Sequence, residues 1–273
     1  MKKLSDKTYW DSIYQDMPER TTRHSFSAIF KEKLKRLTRD HSNFVIWEVL
    51  AKKYLPHNPS YKVLEVGCAP GKYLMHFNTS YGYKPYGVEY SEKGVQLTKE
   101  NFVKAGLDTS TILFADFFDT EFQEKNREQY NVVFSRGFIE HFDNVKEVVD
   151  LHANLLMSGG TLMVMIPNLS GINKILAKYL NKKSYDLHNI SIMNKESFNN
   201  LFPDKEFKKM YCDYVGLFSI GLFNTDAVWK YRLYRVLLVL QRPVDFFLRV
   251  LFKSYSSHFA STSPYLLCIA QKK

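Results

Sequence analysis

The residues best suited to chemistry in this chain are a turn of small residues and an acid that follows it. Val63-Leu64-Glu65-Val66-Gly67-Cys68-Ala69-Pro70-Gly71 is an apolar run ending in closely spaced small side chains, which reads as a buried strand turning sharply into a helix. A ligand can approach the backbone of such a turn closely, because no bulky side chain stands in the way. A second short apolar segment, Tyr86-Gly87-Val88, then ends in Glu89. That acid lies about 20 residues on, the distance at which one strand–helix–strand unit sets a carboxylate beside a ribose. Together these features predict a nucleotide-type pocket.

The glycine spacing bears on which nucleotide. A dinucleotide fingerprint needs a third small residue where the helix packs close to the strand, and Lys72 occupies that position here. With Glu65 in front, the pattern is Glu-x-Gly-x-Ala-x-Gly, which resembles the first motif of the class I S-adenosylmethionine-dependent methyltransferases. Further blocks follow in that family's order. Thr111-Ile112-Leu113-Phe114-Ala115-Asp116-Phe117 is similar to its third-strand motif, and Tyr130-Asn131-Val132-Val133-Phe134-Ser135 to its fourth strand. Arg136-Gly137-Phe138-Ile139-Glu140-His141-Phe142 resembles its Glu-His segment. Leu155 to Asn168, with Gly159-Gly160 inside it, resembles the leucine-pair, Gly-Gly and apolar-strand block of strand five, and Ser263 to Lys272 resembles the last strand. One departure is Asn131, where family members commonly carry Asp.

The resemblance implies S-adenosylmethionine as cofactor, S-adenosylhomocysteine as product, and roles for particular residues. The backbone of Gly67, Cys68, Ala69 and Gly71 would face the methionine portion, with Glu65 fixing the loop or the methionine amine through water. Glu89 would accept hydrogen bonds from both ribose hydroxyls, and Asp116 with Phe117 would read the adenine. Tyr90, Ser135 and Arg136 complete the expected cofactor-binding set. His141 is the candidate general base, since an imidazole suits proton removal near neutral pH; the competing reading is that it supports the loop. His188 is a weaker candidate in a polar stretch. The expected reaction is O-methylation of a small or carrier-linked (glycan or lipid) metabolite.

Absences narrow the field. After the fourth strand stands Ser135-Arg136-Gly137-Phe138 rather than the Asp/Asn-Pro-Pro-aromatic loop of nucleic-acid amino-methylating enzymes, so a nucleic-acid substrate is not expected. Asp143-Asn144 is too thin to suggest the carboxylate cluster of a metal-dependent catechol-type enzyme, so no metal is expected. Two alternatives stay open. Glu140-His141-Phe142 is similar to cyclopropane-forming lipid enzymes, and the fold could serve as a catalytically silent interaction module. A nicotinamide-dependent oxidoreductase is disfavoured by Lys72.

These residues need a scaffold to hold them. The segment from 61 to 168 alternates strand and helix, with strands near 62–66, 84–89, 111–115, 130–135 and 160–166 and helices near 71–79, 91–105 and 144–156. That alternation predicts an α/β, Rossmann-like, seven-stranded and mostly parallel sheet with helices on both faces and the ligand at the strand carboxyl ends. Strands six and seven are expected within Glu206–Phe218 and Tyr265–Gln271, the seventh antiparallel as in the resembled family. Residues 1–60 are expected to form a helical N-terminal cover, with helices over Phe26–Leu37 and Asn43–Tyr54, the latter stopped before Pro56. Tyr9-Trp10-Asp11-Ser12-Ile13-Tyr14 resembles the opening of many small-molecule methyltransferases; Trp10 is then either a packing anchor or part of a lid. Residues 169–273 carry the last two strands and two long inserts, of about 40 and about 45 residues, expected to cap the substrate pocket.

At 273 residues and 45% hydrophobic, the chain can bury a large core. Three cysteines at wide spacing, Cys68, Cys212 and Cys268, predict buried thiols in a reducing compartment and no disulfide. The start of the chain lacks the apolar core of a secretory signal. The most hydrophobic region, Trp229 to Phe252, is interrupted by Lys230, Arg232, Arg235, Arg242, Asp245 and Arg249 and is too charged to span a bilayer. Pro243 predicts two helices there, each apolar on one face. They are either a lid buried on the domain or a basic amphipathic element resting on anionic membrane. The net charge of +10 fits an anionic partner or solubility alone. The expected location is cytoplasmic, with the inner face of a membrane as the second option.

Overall fold

The computed structural model describes residues 2–15, 40–251 and 259–273. The helix expected over Phe26–Leu37 lies outside them. A seven-stranded sheet organises the rest, in the order β3-β2-β1-β4-β5-β7-β6. Its strands are β1 Lys62–Val66, β2 Lys84–Glu89, β3 Ile112–Phe114, β4 Tyr130–Arg136, β5 Leu156–Pro167, β6 Phe207–Val215 and β7 Tyr265–Lys272. The first five run parallel, and β7 is antiparallel to both of its neighbours, β5 and β6. The Rossmann-like expectation holds, including the inverted seventh strand.

Period-two alternation explains why the sheet is covered on both sides. Leu64, Val66, Val133, Leu162, Val164, Ile166, Leu266 and Cys268 pack into the core on one face. Their neighbours Val63, Val132, Phe134, Met163, Met165, Leu267 and Ile269 pack into the other. Each such side chain contributes about 1.5–3 kcal/mol of transfer free energy on burial, so slipping a central strand by one residue would exchange two full sets of contacts.

Helices fill the connections. They are α1 Lys7–Gln15, α3 Lys72–Tyr81, α4 Glu92–Ala105, α5 Thr120–Lys125, α6 Val145–Leu155, α7 Gly171–Tyr185, α8 Lys195–Asn200 and α9 Val228–Leu251. Between α1 and α3, α2 begins as His41–Phe44, passes through a π-helical stretch at Val45–Leu50 and ends as Ala51–Tyr54. It stops where Leu55 becomes extended ahead of Pro56. Strand β5 starts earlier than expected, directly after α6, because Leu156 pairs with Tyr130 before a register shift that Gly159, at φ 73°, helps to absorb.

The basic segment departs from expectation. Instead of two helices broken at Pro243, α9 is one helix with the proline inside it. Pro243 and Val239, whose carbonyl it leaves without an intrahelical donor, both face solvent, where water can take up the missing bond. Nor is α9 a lid that buries an apolar face. Trp229, Tyr231, Val236, Val239, Leu240, Phe247, Val250 and Leu251 are each at least half exposed, and Asp245 is its one buried residue. Polar clamps hold the helix instead. The backbone N–H of His41 donates to Asp245, that of Ile220 donates to Gln241, and Lys230 Nζ donates to the carbonyl of Tyr179. No described helix is long and apolar enough to cross a membrane.

Candidate functional site

At the carboxyl end of β1 the chain turns through Gly67 (φ 70°) to Gly71 (φ 82°), the left-handed residue that starts α3. Gly67 lies where a Cβ would come within 3.1 Å of the Phe138 ring, so its lack of a side chain lets that aromatic approach. The turn does not offer its amides outward. Gly67 and Cys68 N–H donate to the Val88 carbonyl (3.0 and 3.3 Å), Gly71 N–H donates to the Cys68 carbonyl (2.6 Å), and Ala69 N–H donates to the Glu89 carboxylate. Glu65, fully buried beneath, accepts from the N–H of Leu74 in the first turn of α3. The helix start is thus already met by a carboxylate. A pyrophosphate would need those same donors, whereas a nucleotide without phosphates does not.

Glu89, at the end of β2, is almost wholly buried. It accepts from the N–H groups of Ser91 (2.9 Å), Ala69 and Tyr90 and from the Tyr14 hydroxyl. Burial raises its pKa, and those donors pull it back. Ser91 caps α4 by accepting from Gly94 N–H (3.1 Å) and itself donates to Asp11 of α1. Asp116, beyond β3, accepts from Phe118 N–H (3.0 Å) and pairs with Lys3 Nζ at 2.7 Å, both side chains substantially exposed. A pair so exposed is worth at most about 1 kcal/mol.

These groups surround an open pocket, about 740 Å³ including the solvent space at its mouth, lined, among others, by Gly67, Ala69, Glu89, Tyr90, Asp116, Phe117, Arg136 and His141. Four of the sequence-predicted residues do not reach its wall. Glu65 and Ser135 are buried below it, Gly71 turns toward Thr98 and Phe102 of α4, and the Cys68 thiol packs in the space that Gly87 leaves by lacking a Cβ. Sequence reasoning missed Lys3, Ser5, Tyr14, Phe118, Phe138 and Phe142. Phe118, Phe138 and Phe142 form one aromatic wall, with ring centroids 4.9–6.3 Å apart. Phe138 and Phe142 sat inside the recognised Glu-His segment and Phe118 directly after the third-strand motif, where clustered Phe was the available signal. Lys3 and Ser5 are brought in by tertiary contacts alone, and Tyr14 comes from the opening segment Tyr9–Tyr14, in which only Trp10 had been singled out. Asn131, the departure from the family pattern, accepts from Lys62 N–H at 2.9 Å and so ties β4 to the start of β1.

A second, larger cavity, about 1120 Å³ including the solvent space at its open mouth, adjoins the first. Trp10, Arg136, Gly137 and His141 line both. Its far wall comes from the two inserts, including Ala177, Tyr185 and His188 from the first and Leu222 and Phe223 from the second. Arg136 is held between the Tyr73 and Tyr265 rings, 5.0 and 5.1 Å away, and donates to the Tyr265 hydroxyl. Trp10 donates to Ser5 Oγ and meets the His141 ring edge-on at 5.2 Å, so it is an anchor and a cavity wall at once. His141 is buried and its Nδ1 bonds the Leu187 carbonyl at 2.9 Å. A carbonyl only accepts, so Nδ1 carries the proton. Burial, reinforced by neighbouring His188, lowers its pKa to about 3. Glu140 beside it is fully buried with no other residue hydrogen-bonded to its carboxylate, and burial raises its pKa to about 8.

The methyltransferase domain family matches residues 25–210. The fold is similar to geranyl diphosphate C-methyltransferase from Streptomyces coelicolor A3(2), solved with Mg2+, geranyl diphosphate and S-adenosyl-L-homocysteine. That pair shares 12% identity over 97% of each chain at a TM-score of 0.58. A putative methyltransferase from Bacillus halodurans C-125 is 14% identical, over 85% of this chain and 99% of its own, at 0.55. The MccD protein is likewise 14% identical, over 85% and 96%, at 0.55. None of the curated proteins compared by sequence matches.

Proposed function

Since the chain belongs to the class I S-adenosylmethionine-dependent methyltransferases, we propose that it transfers the methyl group to an oxygen of a small or carrier-linked acceptor held in the larger cavity. The observation that carries this reading is the shared wall: Trp10, Arg136, Gly137 and His141 border both cavities. Transfer from a sulfonium is an in-line displacement in which the nucleophile gains charge as sulfur loses it. Holding acceptor, methyl and sulfur in line in a water-poor junction supplies most of the acceleration.

In this reading Glu89 accepts from the ribose hydroxyls, Asp116 and Phe117 meet the adenine, and the side-chain-poor turn lies against the methionine portion. S-Adenosylmethionine carries no phosphate, which suits a turn whose amides are already engaged. His141 faces the acceptor. With a pKa near 3 it stays neutral and takes a hydrogen bond from the acceptor hydroxyl, orienting it; as the O–CH3 bond forms and the S–CH3 bond breaks, the hydroxyl proton passes along that hydrogen bond and on to water at the open mouth of the cavity, so His141 does not retain it. His141→Gln then lowers turnover by roughly 10- to 100-fold while S-adenosylhomocysteine affinity holds; equal loss of both refutes the assignment. Methylation of an oxygen removes an exchangeable hydrogen, so mass analysis of the labelled product in D2O distinguishes it from C-methylation.

The surface of α9 favours a lipid-linked acceptor among these. Exposed Trp229, Leu240, Phe247 and Leu251 are interleaved with Arg232, Arg235 and Arg242, a composition that suits the interface of an anionic bilayer. Flotation with anionic vesicles but not neutral ones is expected. Failure to float with either removes membrane contact and leaves the small-molecule acceptor.

A further inference from the structure

We propose that Glu140, His141 and His188 form a binding site for a divalent transition-metal ion on the wall of the larger cavity. One ligand-capable atom from each lies within 4.8 Å of those of the other two, a set that contraction around an ion can close. All three residues line that cavity.

Three further observations point to a ligand rather than to idle packing. The Glu140 carboxylate is fully buried, yet no other residue hydrogen-bonds either of its oxygens. Such a group is costly unless something pairs with it. Arg136, the cation nearest in charge terms, is committed to Tyr265 and stacked between two tyrosine rings. Second, both histidines are oriented in the same manner: His141 Nδ1 bonds the Leu187 carbonyl at 2.9 Å and His188 Nδ1 bonds the Ser184 carbonyl at 2.7 Å. A ring that donates Nδ1–H to a backbone carbonyl is fixed in the tautomer whose Nε2 lone pair is free, which is the outer-sphere arrangement typical of metal-bound histidine. Third, the segment bearing His188 is fastened to the one bearing Glu140 and His141. Asn189 N–H donates to the Glu140 carbonyl (2.6 Å) and Asn189 Nδ2 to the Phe142 carbonyl (3.0 Å), so two distant stretches present their ligands together.

Two imidazoles and one carboxylate select a borderline cation such as Zn2+, Co2+ or Fe2+ over the harder Mg2+ and Ca2+, which prefer oxygen alone. Three protein ligands leave open positions toward the cavity. If the methyl acceptor is a hydroxyl held in this cavity, as proposed above, an ion bound here takes up the His141 Nε2 lone pair, and the acceptor oxygen is then oriented at an open position of the ion instead of by the imidazole.

The test uses the full-length, tag-free protein stripped with chelator and titrated with Co2+ alone, followed by visible absorption and by calorimetry. S-Adenosylhomocysteine binding is measured in parallel. The expected result is one equivalent of Co2+ with ligand-field bands. His188→Ala should weaken that binding by more than the roughly 10- to 100-fold typical of losing an outer-sphere partner, with S-adenosylhomocysteine affinity unchanged. Glu140→Gln, close in shape to the native residue, guards against misfolding of the histidine variant and should weaken Co2+ comparably. Absence of a cobalt spectrum in the native protein, or equal Co2+ affinity in native and both variants, overturns the metal site. If Co2+ binds while neither S-adenosylmethionine nor S-adenosylhomocysteine does, the metal site stands and the methyltransferase reading is what fails.

Discussion

Replacing Glu89 with Gln should separate cofactor affinity from stability. In the proposed complex the carboxylate receives both ribose hydroxyls, and hydrogen bonds to a charged acceptor are worth about 1.5–3 kcal/mol each. Gln keeps one oxygen, turns the other into a donor facing a hydroxyl, and discharges the remaining bond, for a loss of about 2–4 kcal/mol. That corresponds to a rise of roughly 30- to 700-fold in the dissociation constant for S-adenosylhomocysteine. The fold should hardly notice. Burial already raises the Glu89 pKa, so removing the charge returns desolvation free energy that offsets a lost bond from Ser91 or Ala69 N–H. Calorimetric titration beside urea unfolding reads both quantities. A dissociation constant within threefold of the native value, in a variant that unfolds at the native urea concentration, refutes the placement of the ribose on Glu89.

Three further outcomes follow from the geometry. Gly94→Ala puts a methyl group 2.9–3.0 Å from Tyr14, Ala69 and the Glu89 side chain, so it should weaken S-adenosylhomocysteine binding roughly tenfold, a strain of about 1–3 kcal/mol; an unchanged titration counts against the site. Gly71→Ala meets Thr98 at 2.9 Å and Phe102 at 3.1 Å at a φ of 82°, and should cost about 2–4 kcal/mol in urea unfolding, a loss the assay would miss only if α4 can give way. His152 is fully buried, and burial lowers its pKa to about 4 although the Val148 carbonyl works the other way. Its neutral form therefore stabilises the fold fully above pH 6.5, and that contribution, about 3 kcal/mol at most, is lost as pH falls from 6.5 toward 4. His152→Gln should flatten that part of the stability profile, and an unaltered slope contradicts the assignment.

Much of the scaffold was legible because its signals are local. The apolar runs ending at Val66, Glu89 and Arg136 alternate faces along each strand, and the acids at strand ends lie where such a sheet puts its ligand. The donor side of the turn was not legible. Its small residues advertise a close approach, but only the folded chain reveals that Val88, Cys68 and Glu89 consume its amides. Pro243 misled for a related reason, since a proline breaks a helix only where the lost bond cannot be made up, and here the affected carbonyl faces water. His188 stood only as a weaker candidate in a polar stretch because its neighbours Glu140 and His141 belong to a distant segment. Lys3 and Ser5 carry no pattern at all, and Tyr14 belonged to a recognised opening segment without being singled out; the part of all three depends on where α1 docks.

The self-satisfied turn at Gly67–Gly71 also bears on the thermodynamics of loading. A bend that already spends its donors inside the protein is preorganised, and the incoming nucleotide has no loop to freeze and few amides to strip of water. Association should then show little protection of these backbone amides beyond what the free protein has in hydrogen exchange, and its free energy should come from the acids and the aromatic wall rather than from ordering the chain.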